Sequence, residues 1–101
     1  MKLLLICQWA VTSHDMVTKI TNLAKEDYPD LDVTCCAVEK VKEVNWGEYD
    51  AVLLAPQVRN YMKEVGKHCE EVGTPYAAID ISAYGLGDAK KILAQALKLM
   101  T

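Results

Sequence analysis

Four consecutive apolar residues, Leu3-Leu4-Leu5-Ile6, run straight into Cys7, and six residues later Ser13 opens a stretch with Met16, Val17, Ile20, Leu23 and Ala24 at helical spacing. An apolar run this short cannot span a membrane and suits a strand buried on both faces. Ser13 is a good helix N-cap, so strand, cysteine, short loop and helix start follow in immediate succession. At such a junction unpaired backbone N–H groups and the positive end of the helix dipole converge. They can hold an anion against the thiol, and the same field makes a thiol nucleophilic by lowering its pKa.

The rest of the chain repeats this strand-helix unit. The first helix is expected over residues 13–27, stopping before Tyr28-Pro29 because a residue preceding proline avoids helix. Residues 31–38 are β-rich and partly alternating, a second strand. Residues 39–45 carry Val41 and Val44 among charges, a short helix or turn at a sheet edge. Residues 50–55 form a third strand that Pro56 ends. The helix that follows presents Val58, Tyr61, Met62, Val65, Cys69 and Val72 on one face, and Gly73-Thr74-Pro75 stops it. Residues 76–81 make a fourth strand. Asp88 caps a last helix with Ile92, Leu93, Ala96, Leu99 and Met100 inward and Lys90, Lys91, Gln95 and Lys98 outward.

Alternation at this spacing implies a parallel sheet with helices on both sides. The expected fold class is α/β, a three-layer α/β/α sandwich of flavodoxin-like type with four strands in the order 2-1-3-4, as one domain over residues 1–101. Ligands in such sheets bind at the carboxyl ends of the strands, beside the switch point between strands 1 and 3. Residues 7–13, then Pro56-Gln57-Val58-Arg59, and the stretch 82–88 converge there.

Composition narrows the function. The chain has 101 residues, 25% of them charged, and a net charge of −3, and it lacks a basic run or aromatic-basic stripe. A nucleic-acid module is therefore not expected. Met1-Lys2 and four apolar residues are too little for a signal peptide, so the expected location is cytoplasmic, with reduced cysteines and no membrane insertion. Cys7, the adjacent Cys35 and Cys36, and Cys69 fit no metal-ligand spacing. Neither metal nor cofactor is expected.

Thiolate attack on phosphorus suits the site. A cysteine phosphatase of the C-x5-R type would need arginine at position 13, where serine stands, and the chain's single arginine is Arg59. A phosphorylated aspartate at the end of the third strand is excluded by Ala55, and no GxxxxGK[ST] or GxGxxG occurs. What remains is a cysteine that holds a phosphoryl group without an arginine in its loop.

On these residues the chain resembles the IIB components of the lactose/cellobiose (chitobiose) class of the phosphoenolpyruvate-dependent sugar phosphotransferase system. The likeness covers the strand ending in Cys7, the run Ala51-Val52-Leu53-Leu54-Ala55-Pro56-Gln57-Val58-Arg59-Asn60-Tyr61-Met62, Ile79-Asp80 with Tyr84-Gly85, and Leu93-Ala94-Gln95-Ala96-Leu97-Lys98-Leu99. The resemblance implies an enzyme in which Cys7 takes a phosphoryl group from a phosphohistidine on IIA. Cys7 then passes it to a sugar, such as lactose or cellobiose, held by the membrane permease IIC. Gln8, Trp9, Ala10, Val11, Thr12 and Ser13 would form the phosphate-binding loop, with His14, Gln57, Arg59 and Tyr84 in support, and the protein is expected as a monomer. One departure stands out. Where the family usually has Cys-Ser-Ala-Gly-Met-Ser-Thr-Ser, this chain has Cys7-Gln8-Trp9-Ala10-Val11-Thr12-Ser13-His14. If that backbone needs positive φ, Ala10 strains it. A regulatory domain with a degenerate loop is thus the alternative, ahead of a small cysteine phosphatase. Cys35, Cys36 and Cys69 read as packing residues.

Overall fold

A computed structural model describes residues 1–8 and 10–100, with the backbone alone for residues 10–14. The strands are β1 (Lys2–Cys7), β2 (Asp32–Ala37), β3 (Ala51–Leu54) and β4 (Tyr76–Ala78). They form one parallel sheet in the order β2-β1-β3-β4, as the alternation of elements implies. The helices are α1 (Ala10–Ala24), α2 (Met62–Val72), α3 (Ile81–Gly85) and α4 (Ala89–Met100). Short 3-10 segments cover Val38–Glu43, Trp46–Glu48 and Pro56–Tyr61.

β1 is central, and its unbroken apolar run follows from that position. Side chains alternate across a strand, so Leu3 and Leu5 enter one core and Leu4 and Ile6 the other. The first core holds Met16, Ile20 and Ala24 of α1 with Ile92, Leu93 and Ala96 of α4. The second holds Val65 and Cys69 of α2 with Val58, Val41 and Trp46. Trp46 stacks on His68 of α2, ring centroids 5.6 Å apart, which seats the second 3-10 segment against that helix. α2 ends as Gly73-Thr74-Pro75 suggests: Gly73 has φ 76°, and the Thr74 amide bonds the Cys69 carbonyl at 2.9 Å.

Several boundaries differ from the sequence expectation. α1 begins at Ala10, not Ser13, because alanine extends a helix readily, so the helix starts three residues after Cys7. Ser13 is therefore the fourth residue of the helix and not its cap. The helix ends at Ala24, not residue 27. Lys25, Glu26 and Asp27 are exposed with nothing to bury, and the Tyr28 amide closes on the Ala24 carbonyl at 2.7 Å. The segment after β3 is not one helix. Pro56 starts a 3-10 segment in which Val58 has non-helical φ −116°, and only at Met62 does α2 start. Tyr61 and Val72, expected inward, are exposed.

β4 stops at Ala78 because Asp80 N-caps α3, its carboxylate accepting from the Ser82 amide at 3.0 Å. Ile81 leaves the sheet and is exposed. Gln95, expected outward, turns to the sheet. Its Nε2 donates to the Ala78 carbonyl at 2.7 Å and its Oε1 accepts from the Asp80 amide at 3.3 Å. α4 does begin under Asp88, whose carboxylate accepts from the Lys91 amide at 3.1 Å.

Candidate active site

The carboxyl edge of the sheet collects the chain's candidate chemistry. β1 delivers Cys7 there as its last residue, beside Ala37 of β2. On the other side the Ala55 amide still bonds the Ile6 carbonyl at 2.7 Å, so the β3 edge is held in register up to Pro56. Cys7 is 2% exposed and lies in the core that contains Ile6, Leu54, Ala55 and Val58. Its Sγ points at the Cys36 carbonyl, 3.9 Å away.

α1 starts three residues after Cys7. The first four N–H groups of a helix have no partner inside it, and α1 spans 15 residues. Its positive end therefore faces the end of the strand that carries the thiol. A phosphoryl group on sulfur would bring about two negative charges into that field.

The other candidates divide by element. Gln8 is exposed directly after Cys7. Gln57 and Arg59 are exposed on the 3-10 segment that continues from β3, the strand beside Cys7. Tyr84 sits on α3, half-buried against both cores at once, and so closes this end of the sheet. Trp9 lies outside the described residues. So do the side chains of Ala10, Val11, Thr12, Ser13 and His14, which belong to the first turns of α1.

The remaining thiols differ in surroundings. Burial, then the charge at Cys7, pushes the Cys35 and Cys36 thiols up. Burial and then Glu70 push the Cys69 thiol up to about 11, which suits an inert packing residue. Among the described residues no group of three His, Cys, Asp or Glu could hold a metal ion. Nor is any helix among the described residues long and apolar enough to cross a membrane.

Two features were not read from the sequence. Tyr61, Ile81 and Leu86 are exposed apolar side chains on the segments that follow β3 and β4; Leu86 is 83% exposed. A groove of about 780 Å³ also opens under β2, lined by Cys35, Cys36, Lys40, Glu43 and Tyr49 among others. Neither has a sequence signal, because both depend on where the 3-10 segments and α3 fall.

The family described as "PTS system, Lactose/Cellobiose specific IIB subunit" matches residues 2–95. The oligo-beta-mannoside-specific EIIB component of Bacillus subtilis is 32% identical over 98% of this chain and 95% of its own length. The cellobiose-specific EIIB component of Lactococcus lactis is 28% identical over 95% of this chain and 93% of its own. Among solved structures, the lactose-specific IIB component domain from Streptococcus pneumoniae superposes with a TM-score of 0.84 at 25% identity, covering 100% of this chain and 98% of that one. The cellobiose-specific IIB component from Borrelia burgdorferi gives 0.78 at 28%, covering 99% and 91%.

Proposed function

The chain belongs to the lactose/cellobiose-specific IIB subunit family of the sugar phosphotransferase system, and from that premise we propose that Cys7 is its phosphoryl-carrying residue. Members of this family are phosphotransferases of sugar transport, and they work with the other components of that system. The single observation that carries the proposal is the place of Cys7: the last residue of the central strand, at the switch point, three residues before the start of α1.

The reaction divides into two transfers. The Cys7 thiolate attacks the phosphorus of a phosphohistidine on IIA. The S–P bond forms, the P–N bond breaks, and the imidazole leaves with the bonding pair. In the second transfer a hydroxyl of a sugar bound by IIC attacks the same phosphorus. The S–P bond breaks, the thiolate is restored, and the hydroxyl proton passes to a base or to water. Backbone N–H groups at the start of α1 hold the phosphoryl oxygens through both steps. Gln57, Arg59 and Tyr84 flank the site, and Arg59 is a cation within the segment adjoining it. The exposed apolar side chains of Tyr61, Ile81 and Leu86, on segments that follow β3 and β4, are offered to the protein partners. A β-linked sugar is the proposed cargo, supported by the relatives named for oligo-beta-mannoside and cellobiose.

Incubation with phosphoenolpyruvate, the general phosphotransferase proteins and a IIA partner, followed by intact-mass measurement, tests this. One phosphoryl group should appear on the wild-type chain and on Cys69→Ser, and none on Cys7→Ser. Phosphorylation that survives in Cys7→Ser overturns the assignment.

A further inference from the structure

We infer that Cys7 and Cys36 are a peroxide-oxidisable pair that closes to an intramolecular disulfide and so shuts the phosphoryl acceptor reversibly. The strand register supplies the first argument. Cys36 stands opposite Ile6, and Cys7 opposite Ala37, on adjacent parallel strands. Strands lie about 4.8 Å apart and rise about 3.3 Å per residue, so one strand over and one residue back is about 6 Å between Cα atoms. That falls inside the roughly 4.4–6.8 Å range of disulfides, whereas Cys35, a further residue back, is about 8 Å from Cys7 and outside it.

Side-chain direction is the second argument. Strict alternation would send Cys7 and Cys36 to opposite faces. Cys7, however, is the last strand residue, and it is buried in the core of Leu4 and Ile6, the same core against which Cys36 packs. The two sulfurs address consecutive carbonyls of β2. Cys7 Sγ donates toward the Cys36 oxygen at 3.9 Å, and Cys36 Sγ toward the Ala37 oxygen at 3.3 Å. Access is the third argument. Cys7 is buried, but Cys36 is half-buried and lines the groove under β2, which admits a molecule the size of hydrogen peroxide.

The chemistry balances with hydrogen peroxide as oxidant, whichever thiol reacts first. A thiolate attacks the O–O bond, forming S–O and expelling hydroxide, which takes a proton to become water. The second thiolate attacks that sulfenic sulfur, forming S–S and breaking S–O, and a second water leaves. Two thiols lose two electrons and two protons, and the peroxide becomes two waters. The consequence for phosphoryl transfer rests on Cys7 being the acceptor, but the bond itself does not.

The experiment treats the reduced full-length chain with dilute hydrogen peroxide and maps the peptides without reduction. The expected product is a monomer two hydrogens lighter with the Cys7 and Cys36 peptides joined, formed also by Cys35→Ser and Cys69→Ser and absent from Cys36→Ser. A Cys7–Cys35 bond, a bond only between chains, or no bond overturns the proposal. In a second arm, phosphoryl acceptance should fall at least tenfold after oxidation and return with dithiothreitol. Cys36→Ser should accept normally before treatment and, once oxidised, recover less. If the bond forms and acceptance is unchanged, the regulatory inference fails. If no chain accepts a phosphoryl group even when reduced, the reading of Cys7 as acceptor fails while the disulfide result stands.

Discussion

Ala10 occupies the position where the family usually has glycine, and its backbone decides whether the acceptor loop is impaired. It is the first residue of α1, and among the described residues only Gly73 and Gly87 have positive φ. Alanine is therefore unstrained there, and the degenerate-loop alternative loses its physical basis. Ala10→Gly should not speed phosphoryl acceptance, and it should lower stability by up to about 1 kcal/mol through weaker helix propensity. Acceptance rates from one phospho-IIA donor, with urea unfolding of both proteins, check this; a large acceleration by glycine would show a strained native loop. At this scale the place of Cys7 was legible, because the apolar run ends on it ahead of a helix, and it is the last residue of β1. Cys36 was not. Read as a strand residue it is a packing thiol, and only the register of β2 against β1 brings it beside Cys7.

Elements were legible where a periodic apolar face or a stop signal marked them, as in β1, α2 after Met62, and α4. They were misread where local polar groups decide the backbone. Asp80 ended β4 early by capping α3, a signal present in the sequence but hidden by the β-rich run around it. Gln95 looks like a surface residue by helical spacing, yet its amide satisfies one carbonyl and one amide at the end of β4. The same junction yields a pH prediction. The Asp80 carboxyl is held below its ordinary value, first by the Ser82 amide and then by Lys91, whose Nζ lies 3.4 Å away. With the folded pKa lower than the unfolded one, the charged form stabilises the fold above an unfolded value of about 3.9, and that contribution is lost as pH falls through the folded value. Asparagine at 80 still caps a helix, so Asp80→Asn isolates the charge. Its deficit relative to wild type should be present at pH 7, shrink below pH 4 and fall with added salt. Urea midpoints across pH measure it, and a deficit that persists unchanged at pH 2.5 would assign the effect to the cap alone.

For the whole molecule, the arrangement follows from one strand serving two cores. β1 gives Leu3 and Leu5 to the face covered by α1 and α4, and Leu4 and Ile6 to the face covered by α2. Order 2-1-3-4 then puts the end of β1 at the switch point, which is why the fold and the candidate site follow from one reading of the sequence. If the sheet truly separates the cores, their energetics separate too. Ile92 on α4 and Val65 on α2 are fully buried on opposite faces. Ile92→Ala should cost about 2–5 kcal/mol as transfer and cavity terms add, and Val65→Ala somewhat less because fewer atoms are removed. Truncating both should give the sum to within about 0.5 kcal/mol, as distant sites do. Ile92→Ala combined with Ile20→Val, two changes in one core where α1 meets α4, should instead depart from the sum, since the side chains left around one cavity relax together. Urea unfolding of the single and double variants measures both. Coupling across the sheet as large as that within one core would mean that β1 transmits strain between its faces, and the two cores would have to be treated as one.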